Sequence, residues 1–391
     1  MKPDTATRVM SIETAELKRA LKDARRVVPS RTATPILSHV LICDGSLTAT
    51  DLTSELTLNL SSSQMDRAGY AFTAPLAALQ KAVAGADCGV IYVDELDAPR
   101  ADDRGGMMRW VLGDMEVDLP CLMVDDFPTS KEHETTRSVE IKGALLRDVL
   151  AACELTVSNE ETRYYLRGVY LHGVAVGSNG AAPAFTAVST NGHQLTRITL
   201  PDLSWDMRSV IVLHDAIKYV LPLLAAETGD VQVSVVGMSV SFIAENWSLL
   251  TRAVGGTFPD YTRFIPAPGT AKGRSTMPCD ATKAKVKRLV ALSEARTCAV
   301  DVDAGAGTLT YRGNDIKTVR IKADFAPVNG DAHCQPFGIN GAYLADTMTG
   351  IALFDDTAVA YVGQSGDPVR FTPWSQPEGV DVTVVVMPMR V

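Results

Sequence analysis

The sequence predicts an α+β protein built from three copies of one domain. Segments with the apolar period of a helix start at Ser11, Ile141 and Ala281, which are 130 and 140 residues apart. Each is followed by alternating, strand-like sequence and then by a second helical segment. Because this repeat is longer than that of solenoid proteins, it indicates a tandem array of whole α+β domains.

The elements follow in the same order in each repeat. Apolar residues every three or four positions predict first helices over Ser11–Val28, Ile141–Val157 and Ala281–Ala295, and second helices over Thr73–Ala86, Leu213–Glu227 and Ile339–Ala352. Strands are predicted from alternation, as in GVYLHGVAV from Gly168. The stretches PTSKEHETTRS and IPAPGTAKGRST have linker composition and give domains over residues 1–130, 137–266 and 276–391.

Composition limits the location and the partners. Hydrophobic residues make up 46% of the 391 residues and charged residues 21%, as in soluble globular proteins. The seven cysteines are scattered and never form a C-x-x-C pair, which favours reduced thiols in the cytoplasm over disulfides or a zinc site. We expect a cytoplasmic protein without a leader or membrane span. A net charge of −9 argues against coating nucleic acid with the whole surface.

The first predicted helix separates its apolar face from a basic one. Ala20, Leu21, Ala24 and Val28 fall together, whereas the opposite side carries Lys18, Arg19, Lys22, Arg25 and Arg26. The third repeat adds Lys283, Lys285, Lys287 and Arg288 on its first helix, and the second repeat adds only Lys142 and Arg147. A solvated helix face is the plain alternative. Recurrence in two of three repeats favours an anion-binding surface.

The motif search predicts no enzyme, cofactor or metal site. P-loop, H-E-x-x-H and C-x-x-C patterns are absent from the sequence. The stretch around Ser365 lacks the G-x-S-x-G spacing, and the loop from Asp301 lacks the last acidic ligand of a calcium loop. The six histidines are dispersed. A site assembled from distant residues stays open.

Five groups of strings resemble landmarks of one family, in that family's order. They are RTATPILSHVLI with TATDLTSEL, TRYYLRGVYLHG, STNGHQL, GTFPDYTRFIP and VVVMPMRV. Over essentially the full chain the sequence resembles the bacterial beta sliding clamp, the β subunit of DNA polymerase III, as a divergent member. The resemblance implies three clamp domains, each with two helices and two β-sheets. Two chains would close head to tail into a ring with helices lining the hole.

The same resemblance implies a function and partners. The chain would be a non-catalytic processivity factor that encircles double-stranded DNA without sequence preference. It would be cytoplasmic and nucleoid-associated during replication. DNA polymerase and a clamp loader would bind by short peptides with an apolar tail, in a groove between the second and third domains.

Site residues are carried over by motif. The implied groove consists of Leu166, Thr190, Gly192, His193, Gln194, Leu195, Pro259, Arg263, Phe264, Thr297, Val385, Val386, Met387, Pro388, Met389 and Arg390. The implied DNA-facing residues are Lys18, Lys22, Arg25, Arg26, Arg31, Tyr164, Tyr165, Lys283 and Lys287. For the two tyrosines, packing at the start of a strand is the plain alternative.

Several positions depart from the family pattern. Gln194 stands where arginine is common, Thr297 where an aromatic residue is common, and Val391 where leucine is common. These changes predict a reshaped groove. The acidic stretch Val93–Asp103 and the basic stretch Arg312–Lys322 reverse the usual polarity of two edges that meet across the ring, which predicts swapped seam charges.

Two alternatives remain at this point. The chain could be an accessory, phage or plasmid-type clamp that serves repair polymerases or replaces a host clamp. From another class, it could be an enzyme built on three β-rich domains.

Overall fold

The helices lie where the apolar periodicity predicts them. The structure, a computed structural model, describes residues 7–97, 106–130, 137–175, 183–267, 269–293, 295, 297–314, 316–328 and 334–390. Within these residues the helices are α1 (Thr14–Val27), α2 (Leu76–Ala84), α3 (Gly143–Glu154), α4 (His214–Leu224), α5 (Cys279–Ala291) and α6 (Gly341–Ile351). All six predicted helices are confirmed, with bounds that differ by a few residues. Within the described part of the chain, none of the helices has both the length and the apolar character to cross a membrane.

Strands form most of the remaining structure and confirm the α+β class. In chain order they are β1 (Thr7–Glu13), β2 (His39–Cys43), β3 (Ser46–Thr50), β4 (Ser54–Asn59), β5 (Gln64–Met65), β6 (Ala71–Pro75), β7 (Val90–Asp97), β8 (Gly106–Leu112), β9 (Met115–Cys121), β10 (Ser138–Lys142), β11 (Gly168–Val174), β12 (Ala184–Thr190), β13 (Gln194–Ser204), β14 (Val210–Leu213), β15 (Asp230–Val236), β16 (Ser239–Ile243), β17 (Trp247–Arg252), β18 (Gly273–Pro278), β19 (Ala299–Asp303), β20 (Thr308–Tyr311), β21 (Val319–Lys322), β22 (Ala326–Pro327), β23 (Phe337–Asn340), β24 (Thr357–Val362), β25 (Val369–Pro373) and β26 (Asp381–Val386).

The chain forms two compact units, and each draws on more than one predicted domain. One unit consists of Met1–Lys142 and Ala226–Arg252, and the other of Gly143–Ala225 and Ala253–Val391. Strand pairing between segments far apart in sequence explains this division. The predicted domain limits are therefore not the limits of the sheets.

The first unit holds a five-stranded sheet, in the order β5-β1-β7-β8-β9, and an eight-stranded sheet, in the order β10-β15-β16-β17-β4-β3-β2-β6. The eight-stranded sheet is joined where β17 pairs with β4, and a 3.0 Å hydrogen bond links the hydroxyls of Ser54 and Thr251. Helix α1 packs against β3 and β4 through its apolar face, where Leu17, Leu21 and Ala24 are buried.

The described part of the acidic stretch is not at an edge of its sheet, which corrects the sequence prediction for these residues. Its described part lies in β7, between β1 and β8, and residues 98–103 lie outside the described residues. Asp94 and Glu95 are held in ion pairs by Arg8 and Arg67. The strands at the two edges of this sheet are β5 and β9, and β9 exposes Glu116 and Asp118. Local alternation predicts a strand but not its neighbours in the sheet, so the sequence could not show that β7 is an interior strand.

The second unit holds a nine-stranded sheet, in the order β14-β11-β12-β13-β26-β25-β24-β18-β22, and a four-stranded sheet, in the order β21-β20-β19-β23. Strand β26 is central, paired with β13 on one side and β25 on the other. Val384 and Val386 point into the hydrophobic core with Phe371, whereas Val385 points to the other face. Pro388 follows the strand and cannot donate a ladder hydrogen bond.

Candidate functional site

An apolar groove lies on the face of the nine-stranded sheet that carries Val385. Its volume is about 210 Å³, and its lining consists of Leu166, Thr190, Gly192, His193, Gln194, Leu195, Pro259, Tyr261, Phe264, Val385 and Met387. Ten of these residues are among those that the sequence analysis placed in a groove. The structure therefore brings together side chains that come from four separate parts of the chain.

The floor of the groove is buried and packed, whereas its rim is exposed. Leu166, Leu195 and Val385 are each at most 5% exposed and pack in one cluster, which Tyr261 joins from the side. In contrast, Phe264 is 51% exposed and Met387 38%. Large apolar side chains left open to solvent beside a packed floor provide a surface that an apolar ligand can cover.

A tight turn before β13 places His193 at the rim. The Asn191 side-chain oxygen accepts hydrogen bonds from the backbone N–H groups of His193 and Gln194, both at 3.0 Å. Gly192 adopts a φ of +89°, which glycine permits without strain. The His193 ring stacks on the Tyr343 ring with 6.2 Å between centroids. The backbone carbonyl of His193 accepts a hydrogen bond from the backbone N–H of Met387 at 2.8 Å. The turn and the end of β26 thus hold each other in place.

Gln194 contributes to the wall of the groove while remaining only 3% exposed. Its side-chain amide donates to the carbonyl of Leu155 at 3.1 Å. Nearby, burial raises the pKa of the Asp346 carboxyl, and this effect outweighs the opposing hydrogen bond from Gln194 and the charge of Lys287. A neutral amide therefore occupies this buried position beside a carboxyl group that is costly to ionise.

The other predicted groove residues lie elsewhere. Arg263 lines an adjoining pocket. A second cavity of about 670 Å³ is lined in part by Pro388, Met389 and Arg390, and Met387 lines both this cavity and the groove. Val386 is fully buried in the core, which corrects the prediction that it lines the groove. Thr297 is exposed on the segment between α5 and β19 and is not among the described residues that line the groove. Val391 lies outside the described residues.

Tyr261 is the groove residue that sequence reasoning missed. It is 5% exposed, and its hydroxyl lies 3.1 Å from Nε2 of His172. Burial raises the pKa of Tyr261 to about 12. Its ring meets that of Phe258 edge-on, in the string FPDY. The sequence does contain a signal for it: Phe258 and Tyr261 lie on either side of Pro259, a pattern that favours a turn with packed aromatic side chains.

The basic face of α1 is exposed, but its cations are not equivalent. The ammonium of Lys18 donates to the carbonyl of Ala86 at 3.1 Å, and Arg26 forms a 3.4 Å ion pair with Asp23. Lys22 and Arg25 are exposed, and Arg25 donates to the carbonyl of Val28 at 3.3 Å. This face can therefore offer exposed positive charge to an anion.

The remaining predicted DNA-facing residues differ in exposure. Arg31 and Lys287 are exposed, whereas Lys283 is held by Asp280 at 2.7 Å. Tyr164 is 54% exposed, and its ring meets that of Tyr165 edge-on at 5.6 Å. Tyr165 is partly buried against the cluster below the groove. The position of Tyr165 is thus explained by packing, whereas the Tyr164 side chain is open to solvent.

Comparison with known proteins defines the class. A model of the DNA polymerase III beta subunit, central domain, matches residues 140–260. The beta sliding clamp of Caulobacter crescentus has a solved structure with a TM-score of 0.85 and 27% identity, covering 98% of this chain and 99% of that one. The clamp of Bartonella birtlesii, solved bound to griselimycin, gives a TM-score of 0.83 and 26% identity over 99% and 100% of the two chains. The fold is that of a DNA sliding clamp.

Sequence similarity gives the family. The beta sliding clamp of Caulobacter vibrioides (strain NA1000 / CB15N) is 30% identical over 98% of this chain and 100% of that protein. The beta sliding clamp of Pseudomonas putida is 25% identical over 97% and 99%. The chain belongs to the bacterial beta sliding clamp family, the β subunit of DNA polymerase III, and is a DNA processivity factor.

Proposed function

We propose that this clamp tethers its partners by holding an apolar segment of each partner in the groove beside β26. The observation that carries the proposal is the packed floor of Leu195 and Val385 flanked by the exposed side chains of Phe264 and Met387. An unbranched thioether repacks easily, which suits a surface that accepts several peptides. A tether of this kind raises the effective concentration of a polymerase at the primer end without any chemical step by the clamp.

The proposal extends to DNA. Two chains, each with clamp domains over residues 1–130, 137–266 and 276–391, would close head to tail around duplex DNA. The exposed cations of α1 and α5 would then meet phosphates. Such contacts carry no base information and weaken with salt, so the ring could slide. Partners would include double-stranded DNA, a polymerase and a clamp loader that opens the ring.

The test has two parts. First, the purified chain should have the mass of a dimer, twice 41.9 kDa, and with a loader should remain on nicked circular DNA but leave linear DNA of the same length. Secondly, a short peptide of the Gln-x-x-Leu-Phe type should bind, and Phe264→Ala should weaken it. Met238→Ala is a matched control because Met238 is 56% exposed, belongs to the first unit and is not among the residues that line the groove.

Two results would contradict the proposal. Retention that is equal on linear and circular DNA would exclude topological binding. Peptide binding that is unaffected by Phe264→Ala and Met387→Ala would place the docking site outside the groove.

A further inference from the structure

A single row of side chains runs across the nine-stranded sheet from the groove into a basic region. Leu195 of β13 lies opposite Val385 of β26, and Val385 lies opposite Arg370 of β25. Arg370 in turn lies opposite Tyr361 of β24, and Tyr361 opposite Arg274 of β18. Directly opposed residues point to the same face of a sheet. The apolar floor of the groove therefore continues, on the same face, into an arginine, a tyrosine and a second arginine.

A pocket of about 230 Å³ lies over this basic part of the row. Arg370 and Tyr361 line it from the sheet, and Phe264 contributes to both this pocket and the groove. Residues of the predicted linker, including Pro266 and Thr270, line it as well. The Thr270 backbone N–H and hydroxyl both donate to the carbonyl of Ala267. The pocket adjoins the groove with one aromatic side chain between them.

The pocket has an excess of positive charge. The Arg370 guanidinium lies over the Tyr361 ring at 4.2 Å, and its Nε is buried with no hydrogen-bond partner among the described residues. Arg263 also lines the pocket, and its nearest carboxylate is that of Asp260 at 3.8 Å. The carboxylate that lines the pocket belongs to Asp367, and it accepts a hydrogen bond from the backbone N–H of Gln364 at 2.7 Å.

An arginine whose guanidinium lies over an aromatic ring is restricted before a ligand arrives, and its outer N–H groups can bind a carboxylate. Because the ring contact restricts the side chain, less side-chain entropy is lost when a ligand binds. Because the Arg370 guanidinium has no carboxylate partner among the described residues, Arg370 can accept an anion without first breaking an ion pair.

We propose that the pocket lined by Arg370, Arg263 and Tyr361 binds an acidic side chain that flanks the apolar tail of a docked partner peptide. This inference rests on the proposed peptide groove. Neighbouring strands are about 4.8 Å apart, so Leu195 and Arg370, two strands apart, are separated by about 10 Å. An extended peptide advances about 3.3 Å per residue, which places the acidic residue two to four positions from the apolar side chain on the groove floor. Among partner peptides with an apolar tail, the clamp would thus favour those that carry an acidic residue next to the tail.

Matched synthetic peptides test the proposal on the full-length clamp. Each carries a Leu-Phe tail and, at two to four positions before or after it, either Glu or Gln, and binding is measured by fluorescence anisotropy at low salt. In one of these placements the Glu peptide should bind roughly three- to ten-fold more tightly than its Gln partner. Arg370→Gln should remove this preference while leaving the affinity for the Gln peptide unchanged. Arg252→Gln, an exposed arginine at the end of β17, is the control and should retain it.

The outcomes separate the pocket from the groove. Equal binding of Glu and Gln peptides in every placement, or a preference that survives Arg370→Gln in a folded protein, would overturn the acidic-pocket proposal and leave the groove intact. Failure of all peptides to bind would overturn both. If random-sequence duplex DNA displaced the Glu peptide, and Arg370→Gln lowered retention on circular DNA, the pocket would be a phosphate contact instead. An unchanged melting temperature shows that Arg370→Gln is folded.

Discussion

Truncating Met387 to alanine probes the groove with little effect on the rest of the molecule. The Met387 side chain is 38% exposed at the rim, and its backbone N–H is bonded to the carbonyl of His193. The substitution leaves that backbone bond in place. It removes the thioether that a docked peptide would cover.

The exposed fraction sets the size of the expected effect. For a methionine, an exposed fraction of this size corresponds to about 70 Å² of largely apolar surface, and covering it stabilises a complex by about 1–2 kcal/mol. We therefore expect Met387→Ala to raise the dissociation constant of a Leu-Phe peptide roughly five- to thirty-fold. The dimer should stay intact because Met387 is held to the His193 turn within its own chain.

Isothermal titration calorimetry of the peptide with wild type, Met387→Ala and Met238→Ala measures this effect. Light scattering measures the mass of each protein and shows whether the dimer is intact. A change of less than two-fold for Met387→Ala would refute the assignment of this rim to peptide docking. Dissociation of the dimer would instead give Met387 a role in assembly.

Three further outcomes follow from the charges. Lys22→Gln and Arg25→Gln should each lower the slope of log affinity for duplex DNA against log salt by about 1, measured by salt titration, and an unchanged slope would remove the α1 face from the DNA contact. Arg320→Glu with Lys322→Glu reverses the exposed charges of the edge strand β21 and should shift the dimer toward monomer in gel filtration; an undisturbed dimer would place the seam elsewhere. Burial lowers the pKa of His172 to about 4 from 6.5, so the unfolded state binds the proton first. The free energy of unfolding should fall by up to about 3 kcal/mol as pH drops from 6.5 to 4, and this loss should be absent in His172→Phe if His172 is its source.

The local pattern of the sequence determined the elements. Apolar spacing located all six helices because each helix buries one stripe, as α1 does with Leu17, Leu21 and Ala24. Alternation predicted the strand β26, and the strings that resemble the sliding-clamp family identified most of the residues that line the groove. Alternation also implies that neighbours in β26 face opposite sides, so the sequence alone places Val386 and Val385 on different faces.

Only the tertiary structure decided which strands are neighbours. Pairing of β17 with β4 and of β13 with β26 joins segments about 190 residues apart, and local periodicity carries no information about such register. Pairing of β7 with β1 and β8 makes β7, with the described part of the acidic stretch, an interior strand. Pairing of β26 with β13 and β25 aligns Leu195, Val385 and Arg370 in one row. The sequence determined which residues of a strand share a face. The sheet decided which side chains lie next to each of them, because neighbours in a sheet are set by the register between strands.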